Sequence, residues 1–174
     1  LLDTGAVEYE GEIFSGAHSL APTSGKGTSI MAAALRPRAY EVCGEIADGA
    51  ISWVSPPEYL RDVALPAMQR GADMAKRETP PLVMHLPVCV HEDGDEVLAS
   101  ARAQLATYPK SPFYQAMFAE AGFPEAGQTE TWSEGMRDSV VAWGSENRVA
   151  EHIERMFDWG MGELICHVVT AGPD

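Results

Sequence analysis

The chain has 174 residues with 12 Lys+Arg against 26 Asp+Glu, a formal net charge of −14. Such an acidic surface repels phosphate backbones and anionic bilayers, so neither nucleic acid nor a membrane face is an expected partner. At 45% hydrophobic and 22% charged residues, with apolar side chains spread along the whole length, the chain reads as globular rather than disordered.

No apolar run approaches the ~20 residues that cross a bilayer, and Leu1-Leu2-Asp3-Thr4-Gly5 has neither a basic n-region nor an apolar h-region. A cytoplasmic location is expected. Cys43, Cys89 and Cys166 are odd in number, far apart and set among apolar residues, which predicts reduced core thiols rather than a disulfide framework.

Residues 1–28 form a loop-rich lead-in containing Gly5, Gly11, Gly16, Gly25, Gly27 and Pro22, with a possible hairpin around Val7 to Phe14. Residues 29–174 read as one α/β domain. Ser29 to Leu35 is a short buried strand that feeds a helix from Pro37 to about Ala47, with Tyr40, Cys43, Ile46 and Ala47 on its inner stripe. Ala50 to Val54 is the next strand, and Ser55-Pro56-Pro57-Glu58 has the spacing of a capping box. The helix that follows, to about Arg77, places Leu60, Val63, Ala64, Ala67, Met68 and Met74 inward, and Pro66 is expected to kink it.

Leu82 to Val90 is apolar on both alternating faces, as in a parallel sheet covered on both sides. Helices are expected at about Asp95 to Thr107 and Phe113 to Ala121, an ambiguous segment at Met136 to Trp143, and a helix capped by Ser145 with Val149, Ile153, Met156 and Phe157 inward. Glu163 to Val169 is the last strand. Repeated βαβ units imply a parallel sheet with right-handed crossovers.

In such folds ligands lie beyond the carboxyl ends of the strands. Arg36 and Arg38 stand where a strand turns into a helix, and free N–H groups, helix dipole and cationic side chains there favour a phosphate. Equally, Arg38 can pair with Glu41 one turn on while Arg36 is simply solvated. Trp53 can form a flat wall for a planar cofactor or belong to the core. No Gly-x-Ser-x-Gly surrounds a serine, so a hydrolase triad is not expected. His91-Glu92-Asp93 can serve acid–base or metal chemistry, but strand neighbours diverge and Asp93 and Glu96 suit a helix start, so no metal is expected. His85 and His167, inside apolar strands, read as hydrogen-bonded core histidines.

Three segments resemble the luciferase-like, flavin- or deazaflavin-dependent oxidoreductases, a (β/α)8 barrel family. They are Ile30-Met31-Ala32-Ala33-Ala34-Leu35-Arg36-Pro37-Arg38 running into Ala47-Asp48-Gly49-Ala50, then Trp53 to Leu60, and last Gly144-Ser145-Glu146 through Leu164. The resemblance implies that the turn Ala33, Ala34, Leu35, Arg36, Pro37 with Arg38 holds the phosphate of FMN or an 8-hydroxy-5-deazaflavin, with Trp53 near the ring or the substrate mouth. It implies hydride transfer or oxygen activation on a small organic substrate. Arg36 stands where many relatives have glycine, which suggests a guanidinium contact in place of close backbone approach.

A complete TIM barrel takes about 250 residues, and only about four βα units are present here, matching the family's C-terminal half. The catalytic positions of the other half have no counterparts in this chain. The expected partner is therefore a second copy, giving a homodimer, or the missing N-terminal half-barrel, whether on a longer form of this chain or on a separate one. The alternative is a non-catalytic half-barrel that self-associates or binds a phosphorylated ligand.

Overall fold

The computed structural model describes residues 1, 4–21 and 27–172; Pro22 and Gly25 of the expected lead-in lie outside them. The chain divides into two units, Leu1–Ile30 and Met31–Asp174. The first is a hairpin of β1 (Ala6–Glu10) and β2 (Ser15–Ser19), antiparallel from Ala6 opposite Ser19 to Glu10 opposite Ser15. All ten of its strand residues are exposed.

The second unit carries the chemistry. Its elements in chain order are β3 (Met31–Ala33), α1 (Pro37–Ile46), β4 (Gly49–Trp53), α2 (Pro57–Tyr59), a π-helical turn (Leu60–Ala64), α3 (Leu65–Ala75) and β5 (Leu82–Val90). Then follow α4 (Gly94–Gln104), α5 (Pro112–Glu120), α6 (Ala126–Thr129), α7 (Glu134–Val140), β6 (Ala142–Gly144), α8 (Glu146–Asp158) and β7 (Glu163–Val168).

The five strands form one sheet in which every pairing is parallel. Strand β5 is its centre. One edge of β5 meets β4 at Leu82 to His85 and β6 at Val88 to Val90; the other meets β7 at Val83 to Val88. Among the described residues, β3 and β7 end the sheet, and the short β6, paired with β5 alone, also has a strand on one side only.

Side chains alternate across the sheet, and the register assigns them. Ala32, Ala50, Leu82, Met84, Leu86 and Leu164 face the helices and join the core with Tyr40, Leu60, Met68 and Met156. The opposite face carries Ala33, Ile51, Trp53, Val83, His85, Ile165 and His167. It is partly open, with Trp53 39% and Ile165 41% exposed. A parallel sheet is ordinarily covered on both faces, so this one is half-clothed.

Helices α1 and α3 cross in close contact through glycines. A Cβ on Gly44 would lie 2.0 Å from the Met68 carbonyl oxygen, and one on Gly71 1.9 Å from that of Glu41. The segment from α4 to α7 forms a second packed group around Trp132, whose Nε1 donates to the Leu105 carbonyl at 2.8 Å and whose ring meets Phe118 edge-on.

At Pro66 the preceding residues Leu60–Ala64 form a π-turn, closed by Leu65 N–H on the Leu60 carbonyl, which accommodates the missing proline donor. Several expectations are corrected. The capping box is absent. The helix starts one residue later, at Pro57 with Pro56 as its cap, so Ser55 Oγ donates instead to the Trp53 carbonyl at 3.3 Å and Glu58 accepts from Ser139. Ile46, Met74 and Phe157 are 72%, 59% and 50% exposed rather than inward, because each lies at the flank of a stripe narrower than its periodicity suggested. Cys43 and Cys89 are buried, whereas Cys166 is exposed because β7 is an edge strand. The segment around Met136 to Trp143 resolves into α7 and an extra short strand, β6.

Candidate functional site

The carboxyl ends of β3 and β4 and the start of α1 bring the predicted phosphate turn together. Ala33 ends β3, Ala34 is buried and its N–H donates to the Ile51 carbonyl at 3.0 Å, and Leu35 and Arg36 lead to Pro37, the first residue of α1. Arg36 is the helix cap in extended conformation with no side-chain capping bond. Pro37 has no N–H to offer, and the amides of Ala39 and Tyr40 already donate to the Arg36 carbonyl. The turn is thus poorer in backbone donors than a glycine-rich loop. Its positive charge rests on side chains.

Arg36 Nε is buried without a hydrogen bond and lies 3.3 Å from Glu120 Oε2, while the Arg36 side chain as a whole is 44% exposed. The Tyr59 hydroxyl donates between the Leu35 carbonyl, at 3.2 Å, and Glu120 Oε2, at 3.3 Å. Burial, followed by the Glu120 charge, pushes the Tyr59 phenol well above the ordinary tyrosine range, against the pull of Arg36. The phenol therefore stays a donor. Tyr40 sits beneath the same turn, its hydroxyl buried without a well-formed hydrogen bond, and burial with the neighbouring Tyr59 raises its ionisation far above the usual value. Arg38 pairs with Glu41 on the surface of α1.

Trp53 ends β4 on the open face. Its indole Nε1 donates to the Tyr108 hydroxyl at 2.7 Å, and its ring stacks on His85 with centroids 3.7 Å apart and planes 20° from parallel. The next residue, Val54, is fully buried with φ 49°, a left-handed conformation costly for a β-branched side chain. That turn reverses the chain between Trp53 on the open face and Ser55 in the interior.

His85 and His167 are hydrogen-bonded as expected, and their partners are each other, Nε2 to Nδ1 at 3.2 Å, which sequence spacing of 82 residues gives no means to see. His91 Nε2 meets Glu96 Oε2 at 2.6 Å, and Asp93 caps α4 by accepting from Asp95 and Glu96 amides. Among the described residues no group of three or more His, Cys, Asp or Glu side chains is arranged to hold a metal ion. Among the described residues no helix is long and apolar enough to cross a membrane.

Parallel β/α units whose strand ends gather an arginine turn and an aromatic wall define the class: about half of a (β/α)8 barrel. The model of the luciferase-like monooxygenase family matches residues 1–163, and the chain belongs to that family. An F420-dependent secondary alcohol dehydrogenase in complex with an F420-acetone adduct superposes with a TM-score of 0.75 at 15% identity, over 98% of this chain and 52% of that one. The coenzyme F420-dependent tetrahydromethanopterin reductase of Methanopyrus kandleri gives 0.69 at 24% identity, covering 99% and 55%. An FMN-bound type II Baeyer-Villiger monooxygenase component from Pseudomonas putida gives 0.62 at 17%, covering 98% and 53%. The chain thus spans about half the length of the structures it matches, and at these identities the likeness is one of fold. Comparison with curated proteins by sequence gives no match.

Proposed function

We propose that this chain is the C-terminal half-barrel of a luciferase-like oxidoreductase that works with FMN or an 8-hydroxy-5-deazaflavin on a small organic substrate. The observation that carries the reading is Arg36: in a chain of net charge −14, a half-exposed guanidinium with an unbonded Nε stands at the turn from β3 into α1. The turn fits a phosphate. Arg36 would bind it with the amides around Leu35 and Arg36, Tyr59 and Glu120 would hold the guanidinium in place, and Trp53 would face the ring. When bound, the cofactor supplies the hydride or the activated oxygen. The chain's residues orient it and exclude water on one side, and the remaining wall comes from a second copy or the N-terminal half-barrel.

Fluorescence titration with FMN and with 8-hydroxy-5-deazaflavin tests the site. Loss of a charge-assisted phosphate contact is worth about 1.5–3 kcal/mol, so Arg36→Ala should weaken binding about 10-fold or more. Arg38→Ala should weaken it less, because Arg38 is already tied to Glu41. Equal affinity in both variants and the parent chain removes the phosphate site. For turnover, reduced cofactor with a candidate acceptor must be reoxidised faster with the protein than without it; no acceleration favours the non-catalytic half-barrel, whose support is the pair of open sheet edges.

A further inference from the structure

The open face holds a cluster that the phosphate turn leaves unused. Trp53, His85 and Ile165 lie opposite one another across β4, β5 and β7, and His167 stands two residues further toward the carboxyl ends. The Trp53 indole, itself fixed by the Tyr108 hydroxyl, lies flat over His85 and leaves that residue 1% exposed. His85 Nε2 is 3.2 Å from His167 Nδ1, with the rings 70° from parallel. His85 Nδ1 is buried with no partner of good geometry. His167 is only half-buried, and among the described residues none hydrogen-bonds its Nε2.

The surroundings decide which ring takes a proton. From β4 the pair meets a neutral indole, from the loop after α4 the Tyr108 hydroxyl that holds it, and from β7 the same face carries Glu163 four residues before His167. Neither ring has a carboxylate hydrogen-bond partner among the described residues. Burial first, then the neighbouring His167, disfavours charge on His85, while its own backbone carbonyl favours a proton on that ring. A neutral His85 with its proton on Nδ1 has a lone pair on Nε2. In that tautomer, one of the two that the 3.2 Å contact admits, the hydrogen bond runs from His167 Nδ1–H to His85 Nε2 and leaves His167 Nε2 unprotonated.

We propose that His167 is the proton-transfer group of the open face and that His85 is its positioning residue, for a ligand bearing a weakly acidic O–H or N–H on a planar ring. The ligand's O–H or N–H bond breaks, its proton bonds to His167 Nε2, and the electron pair stays on the ligand. The imidazolium formed keeps its Nδ1–H bond to neutral His85. This rests on the reading that the open face beside Trp53 carries the cofactor ring and substrate.

Imidazole 15N spectra of the full chain, diethyl pyrocarbonate acylation followed by peptide mass, and FMN fluorescence test it together. At pH 8, His167 should be mainly the Nδ1–H tautomer, and its Nε2 should be acylated several-fold faster than exposed His18. His85→Phe keeps a ring under Trp53 but removes the acceptor, and His85→Leu, which also cannot accept, serves if that variant misfolds. In either folded variant the tautomer preference should be lost and acylation of His167 should slow several-fold. A merely structural pair would leave that rate unmoved. A mainly Nε2–H tautomer in the parent chain, or equal acylation rates with and without His85, overturns the proposal. So does saturation with FMN, shown by fluorescence, that leaves His167 acylation unprotected. Absence of FMN binding to the parent chain overturns the cofactor reading instead, and the tautomer and acylation results still decide His167.

Discussion

His85 ties stability to pH. Burial and the neighbouring His167 lower it from an ordinary 6.5 to about 4, so the folded chain binds fewer protons than the unfolded chain between those values. The stabilisation is complete above about pH 6.5 and is lost as pH falls toward about 4, a difference on the order of 2–3 kcal/mol. Urea unfolding at pH 7.5 and pH 5 should show this loss in the parent chain and a flatter dependence in His85→Phe; parallel slopes would refute it. Val54 gives a second residue-scale prediction. Replacement by Ala or Gly empties the same buried site, but Ala keeps a Cβ at φ 49° and Gly does not. Val54→Gly should therefore be more stable than Val54→Ala by about 1 kcal/mol in chemical denaturation, the reverse of the usual order. None of this was legible in the sequence. Val54 reads there as an ordinary strand residue, and His85 and His167 as hydrogen-bonded core histidines with no partner named, because only the sheet register brings residues so far apart to one face.

At the scale of elements, the sequence carried most of the fold. Periodicity located α1, α8, β5 and β7 to within a few residues, since each combines a clean apolar pattern with a proline, glycine or serine boundary. It failed where a local rule has two outcomes. Proline inside a helix leaves open how the turn before it adjusts, and at Leu60–Ala64 that turn widens into a π-turn. The tight crossing of α1 on α3 was also unseen, because glycine in a helix looks like a weak position rather than a contact. Gly44→Ala and Gly71→Ala should each destabilise the chain by about 1–3 kcal/mol, overriding the ~1 kcal/mol that alanine gains in helix propensity. Thermal unfolding with circular dichroism checks both. An unchanged or raised Tm would mean that the helices separate without cost.

Over the whole molecule, one face of the sheet and its two outer strands await cover. Ile165 and Val168 on β7 are 41% and 68% exposed, on an edge that natural proteins usually blunt with charge. Expressed alone, the chain should associate in a concentration-dependent way in sedimentation experiments, and Ile165→Lys should shift it toward monomer. A monomer at all concentrations would count against closure by a second copy and leave a separate half-barrel as the partner. The intact mass of the chain from its native source settles a prior question: a mass far above 18.8 kDa puts the other half-barrel on the same chain, and a mass near 18.8 kDa leaves it to a second copy or a separate partner. The turn proposed for the phosphate was the part of the candidate site whose geometry could be read beforehand, since strand, arginine, proline and helix are contiguous there. The Trp53–His85–His167 cluster was not, since it draws on three strands.

The position of β5 has a consequence for synthesis. Its outer edge is completed by β7, with Val83 opposite Glu163, so a strand made in the middle of the chain waits 80 residues for its neighbour. Parallel pairing at that separation is slow to form. Until β7 leaves the ribosome, that edge of β5 stands uncovered, a window in which nascent chains can pair with each other or recruit a chaperone. Removing β7 from the gene would make that window permanent.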